Sequence, residues 1–422
     1  MGAILGVDRT LISKYLSGAR QCSDISQLRR FADLLGVPYE TFGLSAVAAT
    51  DASVDITQWR LARRALNQNR HALTALAADL YWEPQRVEAT QCLTIPGWLP
   101  SMPVELGEVE LGWRDAARPP VIGTESCAAQ FIPELSATTP GPRYSQAIKA
   151  YARPALFENR ISYRLLDLGW AEGSGRMWFG MTTYFDMIDV CELLAHEIAA
   201  AWLVDRRVAM RELPFRTHVG NLFDLQRRVV LPSVNTLTIR RSPGGDRFFL
   251  HRRAAASVTT AAGLSHVIPA GVFQPSGIGP ENVSQDFDLW RSILREYSEE
   301  MLGNIEHDGS TSDPVDYNTE PFRTLNEARS DGRVRAWCLG VGIDPLTPAG
   351  EILTVVTIDA DVFDAAFAKL VQHNAEGDLY PSALGLPWDP ATVRRVMTQE
   401  PLACAAAACI ALTWKHRKQL LP

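Results

Sequence analysis

A chain of 422 residues that is 46% hydrophobic and 21% charged has apolar material for two or three packed domains, which excludes the fibrous and disordered classes. Its formal net charge of -7 excludes a protein that coats nucleic acid with its whole surface, but it leaves room for a small basic reading head on an acidic body. The seven cysteines, Cys22, Cys92, Cys127, Cys191, Cys338, Cys404 and Cys409, are scattered singly without the spacing of a zinc site and read as buried free thiols. The opening MGAILGVDRT has no cationic start and no long apolar core, so no signal peptide is expected and the chain is placed in the cytoplasm. The Ala-rich run LACAAAACIALTW is too short for a bilayer and suits a close-packed helix, so no membrane segment is expected.

In chain order, residues 1–44 come first as a unit of short helical patterns separated by turn signals, closed by the small-residue run SAVAATDASVD. Within GAILGVDRTLISKYLSGAR, Ala3 is followed by Gly6 at a tight turn and by a second helix buried through Leu11, Ile12 and Leu16. The next segment places Ile25, Leu28, Phe31, Ala32 and Leu35 on one face, with Gly36 as a stop. This arrangement resembles the XRE family of bacterial, lambda-repressor-like DNA-binding domains, beginning inside the second helix of that family's domain. The resemblance implies a helix from Asp8 to Leu16 in the major groove, with Arg9, Thr10, Ser13 and Lys14 at base edges and Arg20 near a phosphate. Duplex DNA is the partner it implies, and the two half-sites such heads read imply a homodimer. The plainer alternative is a helical hairpin used for packing or protein contact.

Residues 45–92 read as a linker and a helical pair, because Trp59, Leu61, Leu66, Leu73, Leu76 and Leu80 fall on a helical period. Residues 93–230 form a central α+β region. It opens with a Pro-dense stretch, then a helix near Ala147, the strands ISYRLLDLGW and RMWFGMTTYF, and the helix DVCELLAHEIAAAW. That last helix holds His196 and Glu197, the start of a metalloprotease signature, but Ala200 stands where the second histidine belongs, so zinc is rejected.

Residues 231–422 begin with a hairpin pattern, VNTLTIRRS, then PGGD, then RFFLHRRA, followed by the strand-like HVIPAGVFQ. EILTVVTIDA is a further strand, and helical patterns follow to the end. Between them, LWRSILREYSEEMLG sets Trp290, Ile293, Leu294, Tyr297 and Met301 on one helical face and Glu296, Glu299 and Glu300 on a neighbouring one. Carboxylates at this spacing repel unless a cation compensates, and magnesium, which takes hard oxygen ligands, is the natural one. Arg295, Glu296, Tyr297, Glu299 and Glu300 match the Arg-Glu-hydrophobic-x-Glu-Glu core of the box that defines the Nudix family, and over residues 232–415 the chain resembles that fold. The departures are specific. Gly271 to Arg295 is 24 positions, about ten more than the family spacing. Phe287 stands in the place of the upstream glutamate, with Asp286 and Asp288 beside it, and Gly303 falls one position late.

The expected fold class is multidomain α+β: a small all-α helix-turn-helix head, a central α+β region, and a C-terminal α/β/α Nudix-like domain with a mixed sheet. The first functional reading is a DNA-binding transcriptional regulator whose Nudix-like domain senses a nucleotide-like or phosphorylated small molecule. The alternative is a metal-dependent hydrolase of a nucleoside-diphosphate-linked substrate, in which Glu296, Glu299 and Glu300 hold magnesium and Glu299 and Glu300 carry catalysis. A third class leaves residues 95–420 as a scaffold for a partner protein.

Overall fold

The computed structural model describes residues 54–81, 85–114, 118–133, 143–154, 157–253, 264–304, 314–370, 377–380 and 384–421, and Ser17 alone among the first 53. The chain divides into two compact units, Met1–Ser53 and Val54–Pro422. The DNA-reading candidates Arg9, Thr10, Ser13, Lys14 and Arg20 lie outside the described residues.

The second unit opens with the helices α1 (Ile56–Gln68) and α2 (Arg70–Ala78). Asp55 starts α1 by accepting the Thr57 N–H at 2.8 Å, as a helix N-cap does. After the short strands β1 (Val104–Glu105) and β2 (Val109–Trp113) and helix α3 (Tyr144–Tyr151), β3 (Ile161–Ala171) and β4 (Ser174–Thr183) form an antiparallel hairpin, with β2 added in parallel to β4. The long helix α4 (Tyr184–Asp205) follows and is buried on every side from Met187 to Ala199, taking Asp189, Glu192, His196 and Glu197 inside with its apolar residues. Helix α5 (Pro214–Val219) leads into the main sheet.

That sheet is built on β5 (Pro232–Arg241), β10 (Val334–Ile343) and β11 (Gly350–Asp359). β6 (Arg247–Phe248) and β9 (Ala270–Val272) share the other edge of β5, pairing at Ile239↔Phe248 and Asn235↔Ala270 respectively. The order is β1-β10-β11-β5-β6-β13, where β13 is Leu386–Pro387. β5 and β11 run parallel while the other pairs are antiparallel, so the sheet is mixed. β7 (Leu250–Arg253), β8 (Ser265–Val267) and β12 (Gly377–Tyr380) make a separate three-stranded sheet.

Helices cover both faces of the main sheet. Helix α6 (Leu289–Glu296), α7 (Phe322–Ser330) and α8 (Ala360–Ala366) pack on one side with Val234, Ile352, Val356 and Ile358. The Ala-rich α9 (Cys404–Lys415) packs on the other with Leu237, Ile239, Leu353 and Val355. The fold is therefore mixed α/β with an α/β/α core, and β5 and β11, buried on both faces, read as continuous apolar runs for that reason.

Residues 93–230 and 231–422, expected as separate regions, share one core. Val104 pairs with Cys338, Tyr163 N donates to Phe273 O at 3.2 Å, and Trp113, Tyr163 and Phe179 pack with Phe273 and Phe287. The helical pair is fixed to α4 from inside, where Glu192, fully buried, accepts from both Arg63 and Arg70.

Candidate functional site around the acidic helix

α6 begins at Asp288, whose carboxylate accepts the Arg291 N–H at 2.9 Å, and its apolar side, Trp290, Ile293 and Leu294, is buried. The last turn, Tyr297–Met301, widens into a π-helix, a local form that often marks a functional site. Tyr297 anchors this turn by a 2.7 Å hydrogen bond to Thr238 of β5.

Arg295 points inward and is 5% exposed. It reaches Asp286 at 3.0 Å, donates to the Tyr317 hydroxyl at 2.7 Å, and donates to Gln274 O at 2.7 Å. Burial opposes its charge, but Tyr317 and Asp286 outweigh that, so the guanidinium is held more firmly protonated than usual. Asp286 also accepts from Ser276 N and Oγ and from the Tyr317 hydroxyl. Beside it, Phe287 packs among the rings of Trp113, Tyr163, Phe179 and Phe273, while its neighbour Asp286 meets the arginine.

Both flanking glutamates lie against β9. Glu296 sits over Gly271, where an added Cβ would fall 1.8 Å from its Oε1. Glu300 is 3% exposed and its Oε2 accepts the Ala270 N–H at 3.1 Å. Glu299 is half-buried. The structure therefore brings Glu296 and Glu300 to consecutive residues of one strand. The oxygens suit a hard cation, and the bare backbone of Gly271 leaves room for a carboxylate. Among the described residues, the group whose donor atoms all fall within 4.8 Å of one another is Asp344, Glu351 and Cys404.

Sequence reasoning missed that group, in which Cys404 comes from far along the chain to meet Asp344 and Glu351 beside a cavity of about 80 Å³ that Ala270 and Gly271 also line. The Cys404 thiol donates to Asp344 at 3.3 Å, and Asn235 donates to Glu351 at 2.7 Å. Contact with Cys92 and burial push the Cys404 thiol well above its ordinary range, and burial raises Asp344. As it stands the cluster is held by hydrogen bonds, Cys404 to Asp344 and Asn235 to Glu351.

His196 and Glu197, set aside as zinc ligands, have other roles. His196 stacks on Trp59 with ring centroids 5.4 Å apart, and Glu197 accepts the N–H groups of Phe215 and Arg216 at the start of α5. No helix among the described residues is long and apolar enough to cross a membrane.

These features define a mixed α/β protein with an acidic helix over a sheet edge. No family model and no curated protein sequence matches the chain. Among solved structures it is similar to Shewanella oneidensis NrtR complexed with a 27mer DNA, at 15% identity and a TM-score of 0.25, over 44% of this chain and 61% of that one. It is also similar to a NUDIX hydrolase from Alicyclobacillus acidocaldarius, at 16% identity and a TM-score of 0.23, over 43% of this chain and 90% of that one. The chain thus spans 61% of the length of the first of these.

Proposed function

We propose that this chain is a DNA-binding regulator with a Nudix-related domain that binds a nucleotide-like or phosphorylated ligand without hydrolysing it. In this reading Arg9, Thr10, Ser13 and Lys14 meet base edges, Arg20 meets a phosphate, and the protein acts as a homodimer on two half-sites. The observation that carries the binding half is the use of the box's own side chains as internal ties. Arg295 is locked to Asp286, Tyr317 and Gln274 O, and Glu300 is buried on the Ala270 N–H. A catalytic constellation needs its groups aimed with sub-ångström precision at the reacting atoms, whereas a binding surface tolerates such commitments. Glu296 and Glu299 would hold magnesium, which needs only one or two carboxylates when waters and ligand phosphates complete its shell. The ion would neutralise phosphate charge.

One observation favours the hydrolase reading, namely the seat of Glu296 over Gly271. There, Glu299 and Glu300 would carry catalysis on a diphosphate-linked substrate. A low-salt titration of duplex promoter fragments with the intact chain and with a chain beginning at Val54 tests the regulator: binding by the first alone is expected, and equal behaviour overturns it. Magnesium-dependent turnover of nucleoside diphosphate compounds that vanishes in Glu299→Gln would replace the sensor with the enzyme.

A further inference from the structure

Where α1 ends and α2 begins, an open cavity of about 960 Å³ carries four guanidinium groups, Arg60, Arg63, Arg64 and Arg70, together with His71 and Tyr151. No carboxylate stands among the described residues lining it. Arg63 and Arg70 are each 3% exposed and are fixed from behind by Glu192. Glu192 thus ties Arg63 and Arg70 in place, in a chain whose net charge is -7. Arg64 is exposed and has no carboxylate partner among the described residues, and Arg60 lies over the Tyr151 ring at 5.7 Å. The Arg63 Nε–H is buried with no acceptor among the described residues.

The backbone adds to this charge. Asn69 precedes α2, but its side chain does not cap the helix; its amide donates back to Ala65 O. The first turn of α2, Arg70 to Ala72, lines the cavity and holds no carboxylate. Helix N-termini and arginine forks are two devices by which proteins hold phosphate oxygens, and here the start of α2 and the arginines line one cavity with an aromatic ring.

We infer that this cavity binds a phosphorylated small molecule of the nucleotide class, its phosphates on Arg60, Arg64 and the start of α2 and its flat base against Tyr151. The site is separate from the acidic helix, since none of Glu296, Glu299 and Glu300 lines it. Being built from cations, it requires no metal.

Calorimetric titration of the full chain in chelator-containing buffer with inorganic pyrophosphate, adenosine diphosphate and adenosine tests the inference. Both phosphate compounds bind saturably and adenosine does not. Arg64→Gln and Arg60→Gln, at exposed positions that leave the fold intact by melting, each weaken pyrophosphate about tenfold, or about 1.4 kcal/mol. Tyr151→Leu weakens the nucleotide more than pyrophosphate, and the chelator keeps any metal-dependent binding at the acidic helix out of the measurement, which separates the two sites. The inference is overturned if neither phosphate compound binds, if adenosine binds as well as the diphosphate, or if the arginine variants bind undiminished. It is also overturned if those variants lose only affinity for duplex DNA, which would make the cleft a nucleic-acid face.

Discussion

Around α1 and α4, single buried groups set how stability responds to pH. Burial, reinforced by the charge of Arg63, pushes His196 down to about 3 from its ordinary 6.5. Between those values the unfolded chain takes up a proton that the folded chain refuses, so His196 lowers stability as pH falls through that window, by up to about 1.4 kcal/mol per pH unit. Glu197, pushed up to about 7 by burial, acts in the opposite sense: the folded state holds its proton more tightly, so its contribution falls as pH rises from 4.5 to 7. The informative quantity is therefore the difference between the native chain and His196→Phe, which fills the same aromatic pocket without a titrating ring. Urea midpoints should show the variant gaining on the native protein from pH 6.5 to pH 5, and a constant difference would refute the assignment. Burial also opposes the charge of Glu192, but Arg63 and Arg70 outweigh it and hold the carboxyl below its usual range. Its stabilisation is present above pH 4.5 and is lost as pH falls through the depressed value. Glu192→Gln removes the carboxylate that the buried Arg63 and Arg70 share and should cost about 3–5 kcal/mol at neutral pH by urea denaturation. None of this could be read from the sequence, because the partners lie far apart in the chain; the sequence reading of His196 and Glu197 reached only the absence of a zinc pattern.

Elements were legible where periodicity survives burial. The β3–β4 hairpin, the strands β5 and β11, the helical pair and the Ala-rich α9 all stand where sequence pattern suggested. β10, with its run VRAWCLGVGI, escaped notice because a strand covered on both faces loses alternation and its two glycines dilute the strand signal. The acidic helix showed its apolar side correctly, Trp290, Ile293, Leu294, Tyr297 and Met301 all being buried. Its π-turn was invisible, although that turn sets where Glu299 and Glu300 stand relative to Glu296. If Glu296 and Glu299 hold magnesium, melting temperature should rise with magnesium through ligand linkage to the folded state. Glu299→Gln should remove the rise while leaving the metal-free protein as stable or slightly more so, since like-charge repulsion is relieved. Gly271→Ala should remove it too, because Gly271 has no positive φ and the substitution acts only by driving a Cβ into Glu296. A melting curve indifferent to magnesium in the native chain would dispose of the metal proposal.

Across the whole molecule, charge is unevenly shared. The first 53 residues carry five basic and five acidic side chains, so the net -7 falls on the remainder. An acidic body repels a phosphate backbone, and this favours contact confined to the few cations of the head, Arg9, Lys14 and Arg20 among them. That division makes the DNA proposal quantitative. Each phosphate met by a cation contributes about 0.9 to the slope of log affinity against log salt. Arg20→Ala should therefore flatten the slope by about one unit while preserving the preference among promoter fragments, because a phosphate contact carries no sequence information. Lys14→Ala, at a base-edge position, should instead narrow the gap between preferred and random duplexes. Fluorescence anisotropy at several salt concentrations separates the two effects. Should both variants change the slope equally and leave the preference intact, the helix from Asp8 to Leu16 reads no bases, and the head is a sequence-indifferent clamp.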